Sequence, residues 1–141
     1  MKKTSRKAFS LLELLVVILI LGILAAFVAP NLIGKGEQAK RDMVCVQMES
    51  IANTLKMFKL DNGMYPSTDE GLQILLSNTD PQKYPTYPSK PYMEKMPKDS
   101  WQHPFVYLSE GDSFELISLG GDRKEGGDGD GTDIFYSACN K

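Results

Sequence analysis

Histidine and tryptophan each occur once among the 141 residues, and cysteine occurs twice. His103 has no Cys or Glu at ligand spacing beside it, so neither a zinc centre nor a histidine-based triad has the side chains it needs. It reads as a loop histidine ahead of Pro104. A nucleophile–base pair, a phosphate-cradling glycine loop and a paired-acid motif are also missing, and no enzyme is expected. Basic residues are scarce beyond the start. Lys2, Lys3, Arg6 and Lys7 take four of the 16, leaving 12 against 18 acidic residues, a net of −6. That balance excludes the basic footprint of a nucleic-acid binder. The length suits one small domain rather than two.

Charge is also missing from residues 9–29, FSLLELLVVILILGILAAFVA, where Glu13 is the one ionisable side chain. At about 1.5 Å per residue the run spans roughly 30 Å, the hydrocarbon thickness of a bilayer. An ordinary secretory signal has an apolar region of about 7–15 residues followed by a small-residue exit site. This run is longer, carries a carboxylate near its start and continues into helix-forming sequence. The basic residues ahead of it place that side in the cytoplasm, and everything after Pro30 outside it.

Glu13 needs a purpose, because a carboxylate inside an apolar span costs about 2.5–3.5 kcal/mol. One reading lets it reach water at the membrane surface. A sharper reading cuts the chain between Ala8 and Phe9. The new α-amine then lies four residues before Glu13, one helical turn away. An amine on one subunit pairing with Glu13 of its neighbour would set axial register. Pro30 removes a backbone donor and clashes with the preceding turn, so a kink or local unwinding is expected there, with Gly22, Gly34 and Gly36 as further weak points.

Between Glu37 and Lys59 the residues Val44, Met48, Ile51, Leu55 and Phe58 form a stripe on one helical face. It stops after about two heptads, too short for a coiled coil, and is expected to pack on the chain's own small sheet. Asp61-Asn62-Gly63 ends the helix, with Gly63 suited to a left-handed cap. Ser67 and Glu70 have the spacing of a capping box ahead of Leu72, Leu75 and Leu76. Six of the eight prolines fall within residues 80–104, which predicts an extended wrapping loop. Phe105–Leu108 and Ser113–Leu119 alternate as strands joined by a turn over Ser109–Asp112.

The opening KAFSLLELLVVILILGILAAFVAPNL resembles the class III signal of type IV pilins and type II secretion pseudopilins. The resemblance implies that a prepilin peptidase cuts before Phe9 and methylates its amine, with Glu13 and Pro30 in the assembly positions. It departs at Ala8, where glycine is usual. LKMFKLDNGMYPSTDEGLQIL and KMPKDSWQHPFVYL resemble the major pseudopilins of type II secretion, the general secretion pathway protein G family, across nearly the whole of residues 9–134. Here Ser100 replaces the usual proline, and Gln102-His103 stand where glycine is usual.

Residues 119–134, LGGDRKEGGDGDGTDI, set Asp122, Asp128, Asp130 and Asp133 among six glycines. Carboxylates and carbonyls on so pliable a backbone suit a hard cation, since Ca²⁺ takes about 6–8 oxygens. The pattern is not an EF-hand, because position 12 counted from Asp128 is Cys139. Without a cation it would be a solvated acidic loop. The resemblance implies one calcium, held by the carbonyls of Leu119 and Lys124 and by Asp122 and Asp133, with Asp130 a further ligand and Asp128 the most weakly implied. Cys45 and Cys139 would both lie in an oxidising compartment, where they can form a disulfide or stay as two thiols.

The expected architecture is α+β and type IV pilin-like: a long N-terminal α-helix, membrane-spanning in its first half, packed on a small antiparallel β-sheet domain with a calcium loop. Its segments are a leader over 1–8, a transmembrane polymerisation helix over 9–29, a helical continuation over 30–62 and a periplasmic domain over 63–141. The expected function is that of a major pseudopilin, anchored in the inner membrane and polymerised into the periplasmic pseudopilus that drives export of folded proteins. The implied partners are other copies of itself, minor pseudopilins, the prepilin peptidase and the inner-membrane assembly platform. The alternatives are a type IV pilin for adhesion, motility or DNA uptake, and an uncleaved membrane-tethered enzyme or calcium-binding protein.

Overall fold

The computed structural model describes residues 8–140, and of residues 30–33 the backbone only. The leader apart from Ala8 therefore lies outside the described residues. One helix, α1, runs from Leu11 to Asn62. The chain divides into two compact units, Met1–Gln38 and Ala39–Lys141.

In the first unit Ser10 starts the helix. Its hydroxyl accepts from the Glu13 backbone N–H (3.1 Å), and its carbonyl accepts from Leu14 N–H (3.1 Å). This satisfies donors that the first turn would otherwise leave unpaired. From Phe9 to Val28 the large apolar side chains are all exposed. The helix is unbroken through Pro30, Gly34 and Gly36, so the local unwinding expected at Pro30 does not occur. A proline removes a single i→i−4 bond, and the neighbouring turns keep theirs.

The second unit takes in α1 from Ala39 onward, and here the helix has an inside. Val44, Met48, Ile51, Leu55 and Phe58 are fully buried, together with Ala52. They meet Leu72, Ile74, Leu75, Tyr84, Phe105, Tyr107, Leu116 and Ile134 in one core. Gly63 closes the helix at φ 81°, its N–H donating to Lys59 O at 2.7 Å. The capping box is formed in both directions: Ser67 N–H donates to Glu70 Oε2 (2.8 Å) and Glu70 N–H to Ser67 Oγ (3.3 Å). The helix that follows, Gly71–Leu75, is a 3₁₀ helix, and it buries Ile74 as well as Leu72 and Leu75. Leu76 is only half-buried.

The proline-rich stretch holds no regular element from Leu76 to Phe105 and wraps the end of α1 with aromatic rings. Tyr84 and Tyr92 pack on Phe58 with centroids 5.0 and 5.3 Å away, and Tyr87 meets Tyr92 edge-on at 5.1 Å. The sheet has three antiparallel strands in the order β1 (Val106–Glu110), β2 (Ser113–Ser118) and β3 (Ile134–Phe135). Glu110 pairs with Ser113, so the turn is the two residues Gly111-Asp112 rather than the four expected. Gly111 supplies the positive φ (58°) that such a turn requires. The third strand was not expected. It pairs only Ser118 with Ile134 and Ile117 with Phe135, too short for alternation to be read from sequence. The short helix α2, Tyr136–Cys139, is bonded to α1 through the Cys45–Cys139 disulfide, Cα atoms 5.6 Å apart.

Candidate assembly and cation sites

The N-terminal site is assembled from local geometry. Ala8, Phe9 and Ser10 precede the first helical residue and are exposed, Phe9 to 79%. The Ala8–Phe9 bond therefore lies in accessible, non-helical backbone. Glu13 lies in the first turn of α1, where its charge opposes the positive end of the helix dipole. Its backbone N–H is held by Ser10, and its side chain is exposed. A cut at Ala8–Phe9 would thus leave an amine and a carboxylate at the same end of one exposed apolar helix.

The second site is the acidic glycine loop, which folds back on itself. Two 3₁₀ turns, Gly120–Asp122 and Gly129–Gly131, lie against each other. Gly120, at φ 67°, is where they meet: a Cβ there would stand 3.0 Å from Asp130 O and 3.1 Å from Thr132 O. Asp122 Oδ1 accepts from Lys124 N–H (3.0 Å), and Asp133 Oδ2 accepts from Gly126 N–H (2.9 Å). The Asp122 carboxylate also packs against Gly127, whose Cβ would lie 2.8 Å from Oδ2. The two carboxylates implied as ligands therefore flank the same Gly126–Gly127 turn. Leu119 is half-buried at the start of the first 3₁₀ turn, while Lys124, Asp128 and Asp130 are exposed.

Among the described residues no three carboxylate, imidazole or thiol side chains gather as a metal cluster. The donor chemistry nevertheless fits a hard cation, because carbonyls and two carboxylates are all oxygen. One atom points the same way: Asp133 Oδ1 is buried and has no hydrogen-bond partner. A buried carboxylate oxygen without a donor is costly, and a cation would satisfy it.

The loop is anchored by a buried hydrogen-bond hub around Asp99, a packing that sequence reasoning did not anticipate. Asp99 is fully buried. Its Oδ1 accepts from Trp101 N–H (3.0 Å) and His103 N–H (2.8 Å), and its Oδ2 accepts from Ser118 Oγ (2.7 Å). His103 lies in the loop ahead of Pro104, as expected, and it is buried between this turn and the glycine loop. Arg123 Nε donates to His103 Nε2, and the other ring nitrogen, Nδ1, lies 3.3 Å from Gly120 O. The Trp101 indole nitrogen stands 3.2 Å from where a Gly121 Cβ would be. Arg41 Nη1 donates to Thr132 O (3.1 Å) and Ser100 Oγ to Lys40 O (2.8 Å), holding loop and turn to the helix. The signal for this hub was the Asp-x-Trp turn itself, a carboxylate two residues before the single tryptophan.

Comparison with known proteins agrees with the two-part construction. Residues 3–29 match the prokaryotic N-terminal methylation motif. Residues 31–137 match the model of type II secretion system (T2SS) protein G. The chain is similar to the type II secretion system core protein G of Vibrio cholerae, 42% identical over 137 residues, covering 95% of this chain and 94% of that one. It is similar to that of Pseudomonas aeruginosa at 41% identity, covering 95% and 96%. Its fold resembles the crystal structure of the major pseudopilin from the type 2 secretion system of enterohaemorrhagic Escherichia coli. That match has a TM-score of 0.68 and 29% identity, and covers 77% of this chain and 96% of the other. The match runs through the wrapping loop and the glycine loop, and the chain belongs to the type II secretion protein G family, the major pseudopilins.

Proposed function

We propose that this chain is made as a precursor, cut between Ala8 and Phe9 by a prepilin peptidase and methylated on the Phe9 amine. It waits in the inner membrane with its N-terminal side in the cytoplasm and its domain in the periplasm. It then polymerises with copies of itself into a pseudopilus that drives folded proteins across the outer membrane. The observation that carries this reading is the exposed apolar helix with one carboxylate, Glu13, one turn from the exposed Ala8–Phe9 bond. A methylated amine keeps its positive charge, so an amine–Glu13 pair between neighbours would neutralise both charges inside the apolar filament. Minor pseudopilins, the assembly platform and a cytoplasmic ATPase complete the machine; this chain supplies no energy. Mass spectrometry of the mature N-terminus tests the route. Phe9 carrying one methyl group is expected, and an intact leader or a cut after Ala29 overturns it.

Calcium belongs to the same proposal. The Leu119 and Lys124 carbonyls with Asp122, Asp133 and Asp130 would hold one ion. Its chemistry there is electrostatic: it neutralises the loop's carboxylates and ties the two 3₁₀ turns together. Asp133 supports the assignment through its buried, unpartnered Oδ1. At free calcium one hundredfold above Kd the domain gains about 2.7 kcal/mol. Thermal melts with and without chelator should separate for the native chain and coincide for Asp133→Ala. Coincident native melts would sink the assignment.

A further inference from the structure

The segment that closes the glycine loop is held more weakly than the one that opens it. On the opening side β2 pairs with β1 along five residues, and Ser118 Oγ donates to the buried Asp99 (2.7 Å) just ahead of the buried Gly120. On the closing side β3 has two residues and α2 has four, and α2 buries none of them fully. Four residues are too few for a helix to hold itself together. Ile134 enters the core. After it the noncovalent ties include Tyr136 Oη donating to Glu49 Oε2 (2.9 Å), Ser137 N–H donating to Glu115 Oε1 (3.0 Å) and the Tyr136 ring stacked on Phe114 (5.8 Å).

One turn of α1 grips this closing segment at both ends. Arg41 Nη1 donates to Thr132 O (3.1 Å), and Cys45, one turn further on, is bonded to Cys139. Asp133 lies between those two grips, directly after Thr132. It is the carboxylate whose Oδ1 is buried without a hydrogen-bond partner and whose Oδ2 accepts from Gly126 N–H. A cation ligand already held in place loses less freedom on binding than one on a loose strand, so a tether on its segment raises affinity. Here one tether is covalent, and it can be opened without changing any ligand.

We propose that the Cys45–Cys139 disulfide sets the calcium affinity of the glycine loop by holding the segment from Thr132 to Cys139, and Asp133 with it, against α1. The proposal rests on the calcium reading above and adds its control: the oxidised chain binds calcium tightly and the dithiol chain weakly. A dithiol reductant opens the clasp by passing two electrons and two protons to the S–S bond. The reductant closes to its own disulfide, and Cys45 and Cys139 are left as thiols. The coupling is reciprocal: calcium protects the bond from reduction by the same factor by which the bond strengthens calcium binding.

The test uses the full chain in detergent micelles. Calcium titrations should give Cys45→Ser with Cys139→Ser a Kd about tenfold above that of the oxidised native chain, a coupling of ordinary size between two sites. Phe58→Ala, which weakens the same domain away from the loop, should keep its Kd within about twofold. Equal Kd values for the native and double-serine chains overturn the proposal, as does an equal rise in Phe58→Ala. The native chain in dithiothreitol redox buffers repeats the test without a substitution, and decides it where a variant does not fold. Saturating calcium should raise about tenfold the ratio of reduced to oxidised dithiothreitol at half-reduction. An unchanged ratio overturns the coupling. A native oxidised chain that binds no calcium overturns the calcium reading itself, and the coupling with it.

Discussion

The two units share one helix and differ in what that helix is for. Before Gln38 every large apolar side chain described is exposed, whereas from Val44 to Phe58 a stripe of the same helix is fully sealed. Secondary structure does not distinguish them, because α1 is continuous. The difference lies in the solvent each half is built for. The first half is apolar all round and gains nothing by burying one face within its own chain, so its contacts must come from lipid or other subunits. The second half seals one apolar face in a core of its own. Stability is therefore a property of the second unit, and assembly the demand placed on the first.

The largest expected effect concerns the disulfide, which closes a separation of 94 residues within the second unit. In the chain-entropy model such a link contributes about 4–5 kcal/mol. Cys45→Ser with Cys139→Ser should lower the unfolding midpoint of the domain sharply in urea. Membrane insertion of the first unit should not change. Equal midpoints for the native and double-serine chains would show that the link contributes nothing.

A core truncation comes next and addresses the comparison directly. Phe58 is fully buried against Tyr84, Tyr87 and Tyr92, so Phe58→Ala should cost roughly 3–5 kcal/mol. Leu21→Ala, on the same helix, should leave the domain's melting temperature unchanged, because Leu21 is 59% exposed. A matching loss from Leu21→Ala would erase the distinction between the halves.

What sequence reading captured and what it missed divides along the same physical line. The Val44–Phe58 stripe, the Gly63 cap and the Ser67–Glu70 box depend on residues a turn or less apart, and periodicity exposes them. The Asp99 hub depends on Ser118, nineteen residues on, and His103 finds Gly120 and Arg123 only after the chain has turned back through two strands. A lone histidine gives no local sign of that, and of the hub only the Asp-x-Trp turn shows in the sequence. β3 has two residues, so no alternation marks it. In the glycine loop composition suggested a cation, and the residue-by-residue ligand set came from family resemblance.

Acid should act on the second unit through Glu70. Its carboxyl is brought from 4.5 to about 2: burial raises it, but hydrogen bonds from Lys83, the Ser67 N–H and the Tyr84 hydroxyl more than offset this. A depressed carboxylate contributes stability above its unfolded pKa of 4.5, and that contribution is lost as pH falls toward 2. With solvent screening of the Lys83 pair the loss should be about 1 kcal/mol. Melting temperatures at pH 6 and pH 2.5 should converge partly in Glu70→Gln, and an unchanged difference would remove Glu70 from the account.

The smallest effect tests backbone strain within the hub. Gln102 sits at φ 64°, a conformation that costs an L-residue about 1–2 kcal/mol, and it is exposed. Its backbone N–H donates to Asp99 O at 2.9 Å, a bond that glycine keeps. Gln102→Gly should therefore stabilise the domain by about 0.5–1 kcal/mol, after the greater freedom of glycine in the unfolded chain is subtracted. Gly120→Ala is the opposing case. Its φ is 67°, and an added Cβ would press on Asp130 O at 3.0 Å, so the same positive φ with no free space should destabilise. Melts of both variants check the pair. If Gln102→Gly weakens the domain, the Gln102 side chain contributes a contact that outweighs the relief of its backbone.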